Sequence, residues 1–215
     1  LPHIIPCRAS NPTKEKVREK ISMYTNVPIR RVVSMHDVES IYLVPDMLRD
    51  QGLDREVLTL LDLHDRVDQK NEDRERHKWR WFVDRIGKSE ASVTLAVTGK
   101  YTSLRDAYAS IIKAGEHCGV HLGVNVNFRW LDTTEISPGN VVRRLTDCHG
   151  IIVPGGFGVR GTEGKIECIR YARESKVPYL GLCLGFQMAV IEYARNVCGI
   201  PDADSSEFDK TSKNP

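Results

Sequence analysis

Lys176–Val197, KVPYLGLCLGFQMAVIEYARNV, decides the fold. Val177 to Leu182 is a β-type run, Leu184 to Val197 is helical in character, and the two meet at Gly181-Leu182-Cys183-Leu184-Gly185. Only a sharp turn joins a strand to a helix so tightly, and glycine on both sides of the cysteine permits one. The pattern fits a nucleophile elbow of G-x-C-x-G form. Such a turn lifts a thiol off the end of a strand and sets it at a helix N-terminus, where the dipole and free N–H groups favour thiolate. The same spacing equally suits an inert cysteine buried between a core strand and a core helix.

Upstream of the elbow the pattern alternates. Val93 to Val97 reads as a strand buried on both faces. Gly99-Lys100-Tyr101 turns into a helix from about Leu104 to Cys118, with Ser103 as N-cap. Val124 to Leu131 is the next strand, Val141 to Thr146 a short helix, Ile151 to Val153 a third strand and Thr162 to Ser175 a third helix. With the run into Cys183, four strands alternating with helices predict an α/β fold with a mostly parallel sheet. Sites in such sheets form at the carboxyl ends of strands, where Cys183 falls.

The first 63 residues read as the end of another domain. His3 to Cys7 and Arg31 to Met35 are strand candidates, and Thr13 to Met23 is a helix capped by Asn11 or Thr13. Asp46 to Gln51 and Val57 to Leu63 continue as helices, with Pro45 interrupting any single helix from 39 to 51. Residues 64–80, HDRVDQKNEDRERHKWR, carry eleven charges of both signs in seventeen positions. They read as a solvated helix with i,i+4 ion pairs that docks through Trp79, Trp81 and Phe82. The predicted organisation is therefore 1–63, a charged connection at 64–91, and a second domain at 92–215.

Composition narrows the function. The chain of 215 residues is 40% hydrophobic and 28% charged, ordinary for a globular protein. A net charge of +2 gives no electrostatic case for nucleic acid. No apolar run reaches the ~18 residues of a membrane span, and the N-terminus has no signal-peptide pattern. It also lacks an initiator methionine, which suggests a piece of a longer chain. Cys7, Cys118, Cys148, Cys168, Cys183 and Cys198 form no CxxC pair and no metal-ligand spacing. Reduced thiols in a cytoplasmic protein are expected, with no metal site in this chain.

Pro154-Gly155-Gly156-Phe157-Gly158 follows the Ile151 strand directly. Adjacent glycines let backbone N–H groups turn toward a ligand. If the two strands are neighbours, this loop lies beside Cys183 and its N–H groups suit the oxyanion of a thiol-attacked carbonyl. A thiol nucleophile also needs a base. All seven histidines (3, 36, 64, 77, 117, 121 and 149) precede Cys183, and His149 stands at the wrong end of its strand.

These motifs resemble the class I glutamine amidotransferases, and among them the CTP synthase family. The resemblance rests on PGGFGVRGTEGK at 154–165, YLGLCLGFQMAVIEYARNV at 179–197 and DADSSEF at 202–208. REKISMYTNVP at 18–28 and RRVVSMHDVESIYLVP at 30–45 look like the close of that family's synthetase domain. Phe186 departs from the methionine usual after CLG, and Thr98 from the valine often before GKY; both are volume-tolerant changes.

The resemblance implies a ligase of pyrimidine nucleotide synthesis, aminating UTP to CTP with ATP and with ammonia from glutamine. It implies Cys183 as nucleophile, and Gly155, Gly156, Phe157, Leu184, Gly185, Phe186, Gln187 and Glu207 around glutamine and the oxyanion. Lys20 matches a UTP or CTP phosphate contact, His36, Asp37 and Val38 an ATP-adenine segment, and Arg160, Gly161 and Glu163 the region of a GTP activator. Magnesium travels with ATP, its ligands expected upstream of Leu1, and the catalytic His and Glu downstream of Pro215. Tetramers and filaments are implied as assemblies. The alternatives are a non-catalytic assembly module of the same enzyme, or a different class I amidotransferase.

Lacking a general base, these 215 residues alone are expected to release ammonia from glutamine undetectably or nearly so. Loss of a base commonly lowers the rate by ~10²–10⁴-fold. Ordinary turnover of the isolated chain, read as ammonia released, contradicts that expectation.

Overall fold

The computed structural model describes residues 2–100, 105–211 and 214, and it divides into two compact units, Leu1–Asp84 and Arg85–Pro215. The division falls inside the 64–91 stretch assigned to the connection.

In the first unit, β1 (Ile5–Ala9) and β2 (Val32–His36) pair in parallel, from Ile5 opposite Val32 to Ala9 opposite His36. Helix α1 (Glu15–Thr25) makes the crossover between them. Neither Asn11 nor Thr13 caps it; Lys14 is the cap residue, without a side-chain bond. Instead the Thr13 N–H donates to Ser34 Oγ at 2.9 Å, which ties the helix entry to β2. The β1 strand sits two residues later than the sequence pattern places it and is half-buried, while Val32 and Val33 are fully buried.

Pro45 lies in the first turn of α2 (Val44–Asp50), where its missing N–H leaves no bond unmade. Gln51, just past that helix, accepts from the Ser34 N–H at 2.7 Å and donates to the Ser34 carbonyl at 2.8 Å. One side-chain amide thereby continues the ladder along β2. Helix α3 (Leu53–Leu61) follows, and then α4 (Gln69–Val83), capped by Asp68 through the Asn71 N–H. Trp79 and Phe82 of α4 pack on Tyr42, with ring centroids 5.8 and 5.2 Å away. Trp79 Nε1 also donates to the Tyr42 carbonyl at 3.1 Å. Trp81 keeps 42% of its surface exposed.

The second unit carries a four-stranded sheet of order β4-β3-β5-β6, every neighbour parallel. Its strands are β3 (Ser92–Gly99), β4 (Asn125–Asp132), β5 (Gly150–Val153) and β6 (Tyr179–Gly181). They alternate with α5 (Ala109–Leu122), α6 (Val141–Leu145), α7 (Thr162–Glu174) and α8 (Leu184–Asn196). The Ser103 cap expected for the helix after β3 lies outside the described residues. Because the strands are parallel, their carboxyl ends share one edge, and the turns after Val153 and Gly181 emerge there together.

Strand β6 is shorter than the Val177–Leu182 run, because Pro178 has no N–H to give to a ladder. Its carbonyl still accepts from the Ile151 N–H at 2.9 Å, and the Leu182 N–H donates to the Val153 carbonyl at 2.9 Å. The core joins Ala96, Ile151 and Val153 of the sheet to Ile166, Cys168, Ile169 and Ala172 of α7 and Leu184, Met188 and Ile191 of α8. Burial pushes the Cys168 thiol up to about 12, so this cysteine is a packing group.

Helices α7 and α8 are joined by Arg173 and Glu192. Arg173 donates from Nε at 3.1 Å to both Glu192 oxygens and from Nη2 at 2.8 Å to one. Glu192 is 1% exposed. Its other partner is Asn196 Nδ2 at 3.1 Å. Arg173→Met therefore strands a buried carboxylate and is expected to destabilise the protein by about 3 kcal/mol. The double variant Arg173→Met/Glu192→Met recovers most of that loss, as read by urea unfolding.

Candidate functional site

Cys183 is the N-cap residue of α8, with φ 52° and ψ −109°. An L residue there is strained, at a cost of roughly 1–3 kcal/mol, unless its surroundings over-determine it. They do so through two glycines. A Cβ on Gly185 would lie 2.0 Å from the Val153 carbonyl oxygen, so only glycine lets α8 begin against the end of β5. A Cβ on Gly181 would lie 2.7 Å from Gly185 C and Phe186 N, so β6 passes equally close to that first turn. The Gly185 carbonyl accepts from the Tyr179 hydroxyl at 2.6 Å, which clamps the turn to β6. The Phe186 and Gln187 N–H groups donate to the Cys183 carbonyl at 3.0 and 3.2 Å. The sulfur-bearing residue itself is exposed. The G-x-C-x-G spacing thus builds an elbow, and the buried-cysteine reading does not describe it.

Strands β5 and β6 are neighbours, with Val153 opposite Gly181. The Pro154–Gly158 loop therefore leaves the sheet beside the elbow. A Cβ on Gly155 would stand 3.5 Å from Cys183 Cβ, so the loop backbone faces the thiol residue with space for about one atom between them. One residue on, a Cβ at Gly156 would stand 3.6 Å from Leu184 Cδ2 and 3.6 Å from Lys165 Nζ. Phe157 projects into solvent, 81% exposed, while its carbonyl accepts from Lys100 Nζ. Gly158 takes the left-handed φ of 76° that turns the loop back toward α7.

The structure brings Cys183, Gly155, Gly156, Leu184 and Gly185 together at one sheet edge. Phe186 and Gln187 line a cleft of about 440 Å³ with Val190, Ala194, Ser205 and Ser206. Glu207, next to those serines, is exposed, and its N–H donates to Ser205 Oγ at 3.2 Å. Arg160 is exposed, Gly161 caps α7 with φ 79°, and Glu163 pairs with Arg195 at 3.0 Å. In the first unit, Lys20 is an exposed residue of α1. His36 ends β2 with its Nδ1 3.3 Å from Ser34 Oγ, Val38 is half-buried, and Asp37 pairs with Arg8. His149 accepts at Nδ1 from the Thr94 N–H at 3.0 Å, at the amino end of β5 and away from Cys183.

Three contributors escaped the sequence reading: Tyr179, Lys100 and Lys165. Tyr179 reads as one more strand residue, and nothing in its pattern announces a bond to the next turn. Lys100 follows the Val93–Val97 strand candidate at its carboxyl end, which is a positional signal. Lys165 carried the clearest one: it shares the apolar stripe of α7 with Cys168, Ile169 and Ala172, where a charged residue is out of place. It is 2% exposed, and burial, with the nearby charge of Lys100, lowers its pKa.

Among known proteins, the family model described as glutamine amidotransferase class-I matches residues 103–214, and that described as CTP synthase N-terminus matches residues 1–63. A CTP synthase of Acaryochloris marina is 42% identical over 214 residues, covering 100% of this chain. The chain spans 38% of that relative's length. A solved structure of the Trypanosoma brucei CTPS glutaminase domain with bound acivicin is similar at a TM-score of 0.54 and 42% identity. That likeness covers 57% of this chain and 48% of the solved one.

If the elbow holds Cys183 under strain, glycine at that position relieves it. Cys183→Gly is expected to be more stable than Cys183→Ala by about 1 kcal/mol, against the usual penalty for glycine. Urea unfolding of the two variants measures the difference, and the reverse order contradicts a strained elbow.

Proposed function

This chain belongs to the class-I glutamine amidotransferase family, in its CTP synthase branch, and from that premise we propose that it serves the glutamine-dependent, ATP-driven amination of UTP to CTP. The observation that carries the reading is the apposition of Gly155 and Cys183, the PGGFG backbone facing a thiol residue at a helix N-terminus across neighbouring strands.

Cys183 sulfur attacks the side-chain amide carbon of glutamine, and the carbonyl electron pair moves onto oxygen. Backbone N–H groups of the Gly155–Gly156 loop answer that charge. Collapse breaks the C–N bond, ammonia leaves with the proton given up by the thiol, and water cleaves the thioester to glutamate. The same ammonia then displaces phosphate from a uracil O4 activated by ATP. In this reading Phe157, Leu184, Gly185, Phe186, Gln187 and Glu207 surround glutamine, with Phe157 as an exposed wall.

The first unit supplies Lys20 to UTP or CTP phosphates and His36, Asp37 and Val38 to the ATP adenine. Arg160, Gly161 and Glu163 belong to the region where GTP activates. Among the described residues no three His, Cys, Asp or Glu side chains converge to hold a metal. Magnesium accompanies the ATP in this reading, and no step here runs through it. No helix of the described residues is long and apolar enough to cross a membrane. A cytoplasmic, homotetrameric and filament-forming enzyme completes the proposal.

Acivicin tests the site directly. The protein is expected to gain one acivicin adduct on Cys183, located by peptide mass mapping, and glutamine in excess slows its formation. Cys183→Ala abolishes the adduct. Labelling spread over Cys118 and Cys198 with Cys183 untouched overturns the reading.

A further inference from the structure

We propose that Lys165 supplies the positive charge of an anion subsite at the Gly156 backbone beside Cys183, and that its ligand is the oxyanion formed when the thiolate adds to an amide carbonyl. This rests on the amidotransferase reading and deepens it.

Lys165 is 2% exposed, and among the described residues its side chain makes no hydrogen bond and no ion pair, while its backbone N–H donates to the Gly161 carbonyl at 3.1 Å. The acidic residues nearest it on α7 are already engaged: Glu163 by Arg195 at 3.0 Å and Glu167 by Arg170 at 2.6 Å. Its Nζ instead abuts Gly156, 3.6 Å from the position of a Cβ there. A second ammonium, that of Lys100, holds the Phe157 carbonyl of the same loop. Two ammonium groups therefore lie along the loop whose Gly155 faces the Cys183 residue.

With its stem buried, the Lys165 ammonium is poorly hydrated, and a negative charge that forms beside it is favoured. Here that negative charge is transient. The sulfur lone pair forms the S–C bond and the C=O π pair becomes the oxygen's third lone pair. Lys165 gives up no proton and forms no bond. It acts through the field at Gly156, as a positioning residue whose charge is fixed before the anion appears.

Two alkylating reagents of equal reach separate charge from structure. Iodoacetate is an anion and iodoacetamide is neutral, so the ratio of their rates at one cysteine, at one pH, reports local potential and cancels the thiolate fraction. On the intact protein, rates at Cys183 are read by peptide mass mapping, with the exposed Cys118 and Cys198 as internal references. The wild-type ratio is expected to be higher at Cys183 than at either reference. Lys165→Met lowers it by about fivefold, the effect of one charge at several ångströms in a half-screened site, and leaves the references unmoved. Lys165→Arg retains it.

An unchanged ratio in Lys165→Met, or a fall in Lys100→Met alone, overturns the proposal. Lys165→Gln is the second neutral variant; if neither neutral variant folds by circular dichroism, the lysine is structural and the proposal fails. An acivicin adduct with no ratio change removes the subsite and spares the amidotransferase reading. A ratio change without an adduct does the opposite. A Cys183 inert to both reagents ends both.

Discussion

The second unit depends on one close approach, that of the first turn of α8 to the last residue of β5. Gly185 stands where a single extra carbon would press on the Val153 carbonyl. That carbonyl already accepts from the Leu182 N–H, so strand, elbow and helix converge on one peptide group. The approach sets how far Cys183 lies from the Pro154–Gly158 loop. It also explains the two glycines around the cysteine without appeal to flexibility, since both are there to remove atoms. Close packing of this kind has two discrete states, seated or not, and does not deform continuously.

Much of this was legible in the chain. The alternation of apolar runs locates all four strands of the sheet to within two or three residues, because strands of a parallel sheet leave continuous Val/Ile-rich signals. The elbow and the glycine loop announced themselves as turns at strand ends, and the neighbour relation of β5 and β6 then joined them. Local details were less readable. Thr13 is a good cap by type, yet its N–H is drawn to Ser34 and the cap falls on Lys14. Gln51, a helix-end residue by pattern, takes over ladder bonds of β2. In each case a partner distant in sequence outbid the local preference.

The candidate site shows the same division. Cys183 and the glycines are recognisable because backbone geometry demands those residue types at those spacings. Charges are not, because a lysine in a list of residues carries no sign of which way it points. Only the apolar company of Lys165, with Cys168 and Ile169 on one stripe of α7, hinted that it faces inward. Its two acidic neighbours are drawn outward by Arg195 and Arg170, which leaves a charge imbalance inside and a balanced surface outside.

The backbone at Cys183 has a further consequence for how the unit assembles. A residue with φ 52° relaxes to ordinary torsions as soon as the packing around it loosens. The conformation that presents the sulfur therefore exists only after β5, β6 and α8 have closed on one another. Chemistry at this position is coupled to completed folding: partly formed species keep the thiol but not its presentation. Presentation of the sulfur is thus a late-arriving property of the whole unit.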